Sequence, residues 1–200
     1  MKLRKSLLLA FSAFLAVSAA HATTVIAPSF DELVQNADVI FEGTVTDVQS
    51  QWAGEGGQRH IVSYVTFEVA DSLKGSTGKN YTMRMLGGTV GDETMEISDA
   101  PQFKVGDRDI LFVEKNGTQF IPLVGIMYGR FRVQQDGQSN GPVVLDHEGH
   151  PVGDLARLGK DEHGNRAISD HSVVAARDVA AMSATAFKSA IQAKLAELAR

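Results

Sequence analysis

The fold is decided by residues 39–46, whose sequence is VIFEGTVT. Small or apolar residues alternate here with polar ones at a period of two: Val39, Phe41, Gly43 and Val45 on one face, and Glu42, Thr44 and Thr46 on the other. This alternation predicts a half-buried β-strand. Residues 61–69 (IVSYVTFEV) repeat the pattern after a glycine-rich loop, so the two segments predict an antiparallel hairpin.

Further short strands are predicted along the chain. They cover residues 81–86, 110–113, 126–133 and 143–145, and Asn116-Gly117 predicts a hairpin turn that pairs residues 110–113 with residues 120–124. The strands are closely spaced, and between them there is no helix long enough for a βαβ crossover. The sequence therefore predicts a mostly β fold, an antiparallel five- to six-stranded OB-like barrel.

A helix is predicted at each end of this β region. Ser29 and Glu32 form a capping box that starts a short helix ending near Asn36. At the other end, apolar residues recur at helical spacing: Phe187, Ile191, Leu195 and Leu198. We therefore expect a barrel domain over residues 23–145, a polar loop or linker over 146–175, and a C-terminal amphipathic helix over 176–200.

The first 22 residues have the pattern of a secretory signal peptide. Lys2, Arg4 and Lys5 precede an apolar run at residues 7–17, and Ala20-His21-Ala22 is a small-x-small cleavage site. The apolar run is shorter than the about 20 residues that a membrane span needs. We expect a periplasmic or secreted protein that begins at Thr23 and, having no cysteine, folds without disulfides.

Charge excludes two classes of partner. The predicted signal carries three of the 19 basic residues and none of the 24 acidic ones, which leaves a net charge of −8. Nucleic acids and anionic lipid surfaces require a basic surface. We therefore expect neither nucleic-acid binding nor membrane binding after cleavage.

The candidate chemistry is limited. Residues 146–150 (DHEGH) supply His147, Glu148 and His150 as candidate ligands of zinc or copper, although a solvated acidic loop explains the same residues. The glycine-rich segments lack the helix and the Ser or Thr of a phosphate loop, and no Gly-x-Ser-x-Gly nucleophile elbow occurs. We therefore predict a non-enzymatic protein without a cofactor.

Trp52 is a candidate partner-binding residue. It adjoins the predicted glycine-rich loop, and large aromatic residues are enriched at protein interfaces. The alternative is that its ring covers one end of the barrel.

Three segments resemble the netrin-like module of the tissue inhibitors of metalloproteinases: Asn36-Ala37-Asp38-Val39-Ile40-Phe41, Val65-Thr66-Phe67-Glu68-Val69 and Leu73-Lys74-Gly75. The resemblance covers about residues 23–91, and it implies an OB-type barrel with these segments in this order. The Gly-Gly-x-Val-Gly turn at residues 87–91 and the segment Phe131-Arg132-Val133 are also similar to those of cysteine-free exported bacterial proteins.

The resemblance implies a function for the mature N-terminus. In that family the free α-amino group and the first carbonyl chelate the catalytic zinc of the protease, and the second side chain enters its specificity pocket; Thr23 and Thr24 match these positions. The family ties its N-terminal Cys to the barrel by disulfides, which this chain lacks. Gly87, Gly88 and Gly91 are the expected substitute, because they would allow the N-terminal segment to approach closely.

Three functions follow as hypotheses. The first is an exported binding module that acts through its free N-terminus as an inhibitor or partner of a secreted zinc metalloprotease. The second is a generic OB-type module that binds a protein or a saccharide through the barrel face and Trp52. The third is a weak metal-binding protein that uses the loop at residues 146–171.

Overall fold

A computed structural model describes residues 25–135, 141–160, 164–167 and 180–200. Its helices and strands in chain order are α1 (Phe30–Asn36), β1 (Val39–Ala53), β2 (His60–Lys74), β3 (Asn80–Leu86), β4 (Gly88–Val90), β5 (Glu93–Met95), β6 (Arg108–Val113), β7 (Arg130–Gln135), β8 (Pro142–Leu145) and α2 (Ala184–Leu198). Within these ranges no helix combines the length and the apolar character that crossing a bilayer requires.

The main sheet has six antiparallel strands in the order β3-β2-β1-β6-β7-β8, and β4 pairs with β5 separately. The predicted hairpin is confirmed, with β1 and β2 paired from Ile40 and Lys74 to Ala53 and His60. The mostly β, antiparallel class is therefore confirmed. The sheet is not closed into a barrel, because β3 and β8 remain at its two edges.

The segment after β6 differs from the prediction. Residues 120–124 are not the predicted hairpin partner of β6 and make only one isolated bridge with it, between Val113 and Leu123. Pro122 has no N–H to donate to a ladder, and Gly125 and Ile126 follow with φ of 65° and 63°. The predicted last strand consequently starts at Arg130 rather than at residue 126.

Asn116 and Gly117 form a turn, as predicted, and Asn116 has a second role at a strand edge. Its side chain lies at the free edge of β3, where Oδ1 accepts a hydrogen bond from the N–H of Arg84 (3.0 Å) and Nδ2 donates to the carbonyl of Thr82 (2.8 Å). The N–H of Leu86 donates to the carbonyl of Phe120 (2.7 Å). A loop thus covers this edge, which protects it from pairing with another chain.

The first half of β1 is buried on both faces, where the sequence predicted one. Ile40 and Glu42 face a cluster that includes both helices, and Phe41 and Val45 face a second cluster on the opposite side. The alternation of polar and apolar residues does not predict the second buried face, because Glu42 is polar and yet only 1% exposed.

The C-terminal helix is confirmed as an amphipathic helix that packs on the sheet. Ser183 caps it by accepting a hydrogen bond from the N–H of Ala186 (3.2 Å). Phe187 and Ile191 are fully buried, whereas Leu198 is 49% exposed. The first residues of the predicted range, up to residue 179, lie outside the described residues.

Two buried ion clusters hold the layers together. Glu42 accepts hydrogen bonds from Arg108 Nε (2.8 Å) and contacts Lys188 Nζ (2.7 Å), which joins β1 to α2. On the opposite face, Arg130 is 2% exposed and donates to both carboxylate oxygens of Asp109 (2.9 and 3.0 Å). Burial raises the pKa of Asp109, and the hydrogen bonds from Arg130 oppose that rise.

Arg130→Met should lower the free energy of unfolding by about 3–5 kcal/mol, because it leaves Asp109 buried without its cation. Urea unfolding at neutral pH measures this change. Arg200→Met, at the exposed C-terminus, is the control and should change stability by less than about 0.5 kcal/mol. Replacing both members of the pair (Arg130→Met with Asp109→Leu) should recover part of the loss. If Arg130→Met lowered the free energy of unfolding as little as Arg200→Met does, the structural role of Arg130 would be contradicted.

Candidate functional site

The N-terminal segment, residues 25–29, is fixed to the fold without a covalent link. Ala27 is 1% exposed, and its N–H donates to the carbonyl of Ala167 (3.0 Å). Pro28 lies between two glycines with positive φ, Gly125 and Gly159. A Cβ on Gly159 would lie 2.5 Å from the carbonyl oxygen of Pro28, so only glycine allows this approach.

A capping box continues the anchor into α1. The N–H of Ser29 donates to Glu32 Oε2 (2.8 Å), and the N–H of Glu32 donates to Ser29 Oγ (3.3 Å). Arg166 forms an ion pair with the same carboxylate. The backbone N–H of Ser29, and then Arg166, lower the pKa of Glu32 from 4.5 to about 2.

Residues 146–150 form a tight turn beside this segment. Asp146 Oδ1 accepts hydrogen bonds from the N–H groups of Glu148 (2.9 Å) and His150 (2.8 Å), which folds the turn back on itself. His150 Nδ1 lies 3.2 Å from Glu148 Oε2 and 3.6 Å from Asp146 Oδ2. One donor atom from each of the three side chains lies within 4.8 Å of the others.

The structure changes the predicted set of metal ligands. Glu148 and His150 come together as the sequence suggested, and Asp146 joins them. His147 is not part of this group of donor atoms; its ring makes an edge contact with Tyr128 (centroids 4.8 Å apart). Burial lowers the pKa of His147.

A small cavity of about 60 Å³ lies between the N-terminal segment and this turn. Its lining includes Ala27, Pro28, Tyr128, His147 and Gly159. The N-terminal segment and the 146–150 turn therefore form one continuous region of the surface.

The other predicted partner-binding residues lie elsewhere. Thr23 and Thr24 are outside the described residues. Trp52 is in β1 rather than in the predicted loop; it pairs with Ile61, and the guanidinium of Arg59 lies 4.3 Å from the centre of its ring. This cation–π contact occupies one face of the indole.

Gly87 and Gly88 contact the end of the β1–β2 hairpin at which Trp52 lies. The N–H of Gly87 donates to the carbonyl of Ile61 (2.8 Å), and a Cβ on Gly88 would lie 2.2 Å from Ser63 Oγ. Nothing lies within 4 Å of the Cβ position of Gly91.

The contacts of these glycines differ from the expected close approach of the N-terminal segment. In the described residues, the glycines that contact Pro28 are Gly125 and Gly159. Isolated glycines in loops give no sequence signal for such a contact, so sequence reasoning missed both.

Comparison of the chain with protein-family models, with curated proteins and with solved structures finds no match in any of the three.

Glu32→Gln should reduce the acid sensitivity of the fold. Because the pKa of Glu32 is about 2 in the folded state and 4.5 ordinarily, its carboxylate stabilises the fold above about pH 4.5, and this contribution is lost as the pH falls toward 2. Melting temperatures measured between about pH 5 and pH 3 should therefore fall less steeply for this variant than for the wild type. Glu55→Gln, at an exposed turn, should keep the wild-type slope; identical slopes for all three proteins would contradict the prediction.

Proposed function

We propose that this protein is an exported, non-enzymatic binding module whose free N-terminus engages a secreted zinc metalloprotease, in the manner of the tissue inhibitors it resembles. The observation that carries this proposal is the non-covalent anchor at residues 27–29. A terminus that binds must be held in place, because ordering it on binding reduces affinity. The close packing of Pro28 on Gly159 supplies the hold that a disulfide supplies in that family.

The chain next to the anchor supports this proposal. If the mature chain begins at Thr23, its N-terminus is only four residues before Ala27, which is buried in the fold. Between them, Ile26 is 56% exposed, so an apolar side chain lies on the surface three residues after the predicted N-terminus. An uncharged amine and a carbonyl oxygen can occupy the open coordination position of a catalytic zinc and displace the water that the protease needs.

The hydroxyl groups of the protein also favour binding over nucleophilic catalysis. Among the described residues, Ser and Thr hydroxyls bond to backbone carbonyls, to other hydroxyls or, at Ser29, to the helix-capping Glu32. In none of these hydrogen bonds is a histidine the partner of a hydroxyl. A serine nucleophile needs such a base within hydrogen-bond reach.

Adding one alanine before the mature N-terminus should weaken inhibition of the target protease by at least about tenfold, because the α-amine becomes an amide and moves away from the zinc. Mass spectrometry first establishes the mature N-terminus, and inhibition constants are then measured against a panel of secreted zinc metalloproteases. A mature terminus other than Thr23, or full inhibition by the extended protein, would overturn the proposal.

Two glycine variants test the anchor itself. Gly159→Ala places a Cβ against the Pro28 carbonyl, whereas Gly164→Ala, with a similar φ (80° against 75°), meets no atom within 4 Å. Both variants carry the same backbone strain, so only Gly159→Ala should reduce inhibition. Trp52→Ala should have no effect; sensitivity to Trp52→Ala together with indifference to the extension would assign partner binding to the hairpin end instead.

A second candidate function, metal binding by the 146–150 turn, is favoured by the three donor atoms within 4.8 Å. Imidazole and two carboxylates suit Zn²⁺ or Cu²⁺. Calorimetry with Zn²⁺ should show uptake of one ion that is lost in His150→Ala. His147→Ala is the matched control and should keep uptake, because the ring of His147 packs on Tyr128. No uptake by the wild type would dismiss this function.

A further inference from the structure

A second cavity, of about 370 Å³, opens beside β6 and β7. Its lining residues come from the segment at residues 102–109, which runs into β6, and from residues 130–134 of β7. It shares no lining residue with the cavity beside the N-terminal segment.

The lining of this cavity is basic although the chain is acidic. Its charged residues are four cations and two anions: Lys104, Arg108, Arg130, Arg132, Asp107 and Asp109. The whole chain carries a formal charge of −5. A concave site with this local excess attracts anions, because its low-dielectric walls concentrate the field.

Two of the four cations are committed to the fold. Arg130 is bound to Asp109 and Asp107, and its guanidinium stacks on the ring of Phe103 at 4.2 Å. Arg108 is paired with Glu42 (2.6 Å). These two residues therefore shape the cavity and contribute little free charge to it.

The other two cations, Arg132 and Lys104, are available to a ligand. Arg132 lies directly opposite Asp109 in the β6–β7 ladder, but no described carboxylate is within ion-pair distance of it. Its Nε is buried and has no hydrogen-bond partner. No described carboxylate pairs with the ammonium of the exposed Lys104 at the mouth. A buried donor without a partner is uncommon in folded proteins, so the guanidinium of Arg132 keeps hydrogen-bonding capacity that the fold does not use.

We propose that this cavity binds a small oxyanion, the carboxylate or phosphate group of a small molecule, with Arg132 and Lys104 as its ligands. The planar guanidinium of Arg132 offers parallel N–H groups that match two oxygens of either group. Lys104 adds a second charge, and Gln102 and Gln134 also line the cavity.

The test uses succinate and inorganic phosphate as probes at an ionic strength of about 0.15 M. Calorimetry should show one saturable site with a Kd below about 1 mM for at least one probe, and the bound probe should raise the melting temperature. Binding of succinate assigns the site to carboxylates, and binding of phosphate assigns it to phosphate groups. Saturable binding of neither probe overturns the proposal.

Variants locate the site. Arg132→Gln should weaken binding by at least about tenfold, and Lys104→Gln should weaken it by a smaller factor. Arg200→Gln removes the same charge at the exposed C-terminus and should leave the Kd within about twofold of the wild type. Because Lys104 is exposed, Lys104→Gln keeps the test valid even where Arg132→Gln lowers stability. Wild-type affinity in both cavity variants would refute the assignment.

Discussion

The burial of β1 on both faces is the constraint on which the rest of this structure depends. Ile40 and Phe41 are neighbours in sequence, both are fully buried, and they belong to different apolar clusters. Each cluster needs its own cover, since a sheet face left in water would not stabilise the fold. Helices α1 and α2 cover one face, and the segments around Phe103 and Leu123 cover the other. The chain has no cysteine, so this packing holds the layers without disulfides.

Local signals predicted the elements of the fold well, and non-local contacts account for the errors. The capping box at Ser29 and the alternation in β1 and β2 depend on residues a few positions apart, and these predictions are confirmed. The burial of Glu42 depends on cations from β6 and α2, which alternation within β1 does not reveal. Residues 120–124 were predicted to pair with residues 110–113 as a hairpin, but Pro122 has no N–H to donate, and the segment makes one isolated bridge with β6, between Val113 and Leu123.

The candidate site was predictable to a similar, limited degree. The composition of residues 146–150 predicted ligands near one another. It did not reveal that Asp146 would join them or that the ring of His147 would contact Tyr128 instead. The anchor of the N-terminal segment gave no signal, because Gly125 and Gly159 lie 97 and 131 positions after Pro28 in the chain. The expectation for Gly87 and Gly88 was built on a resemblance, and their contacts are instead with the β1–β2 hairpin and with Met95 and Ile97.

The two buried acids also explain why the sheet has one register. Glu42 pairs with Ile110 across the β1–β6 ladder and faces the helices, whereas Asp109, one position along β6, faces the opposite side. A slip of one residue between β6 and its neighbours turns every side chain to the other face. It would place Asp109 in the apolar cluster under α2 and remove it from Arg130. Buried ion pairs contribute little net stability compared with apolar residues. In the wrong register, however, each pair would be broken, and the unpaired buried charge would strongly destabilise the fold. We therefore expect that they select this arrangement of strands, and that the cavity beside Arg132 keeps its shape because Arg130 and Asp109 fix its floor.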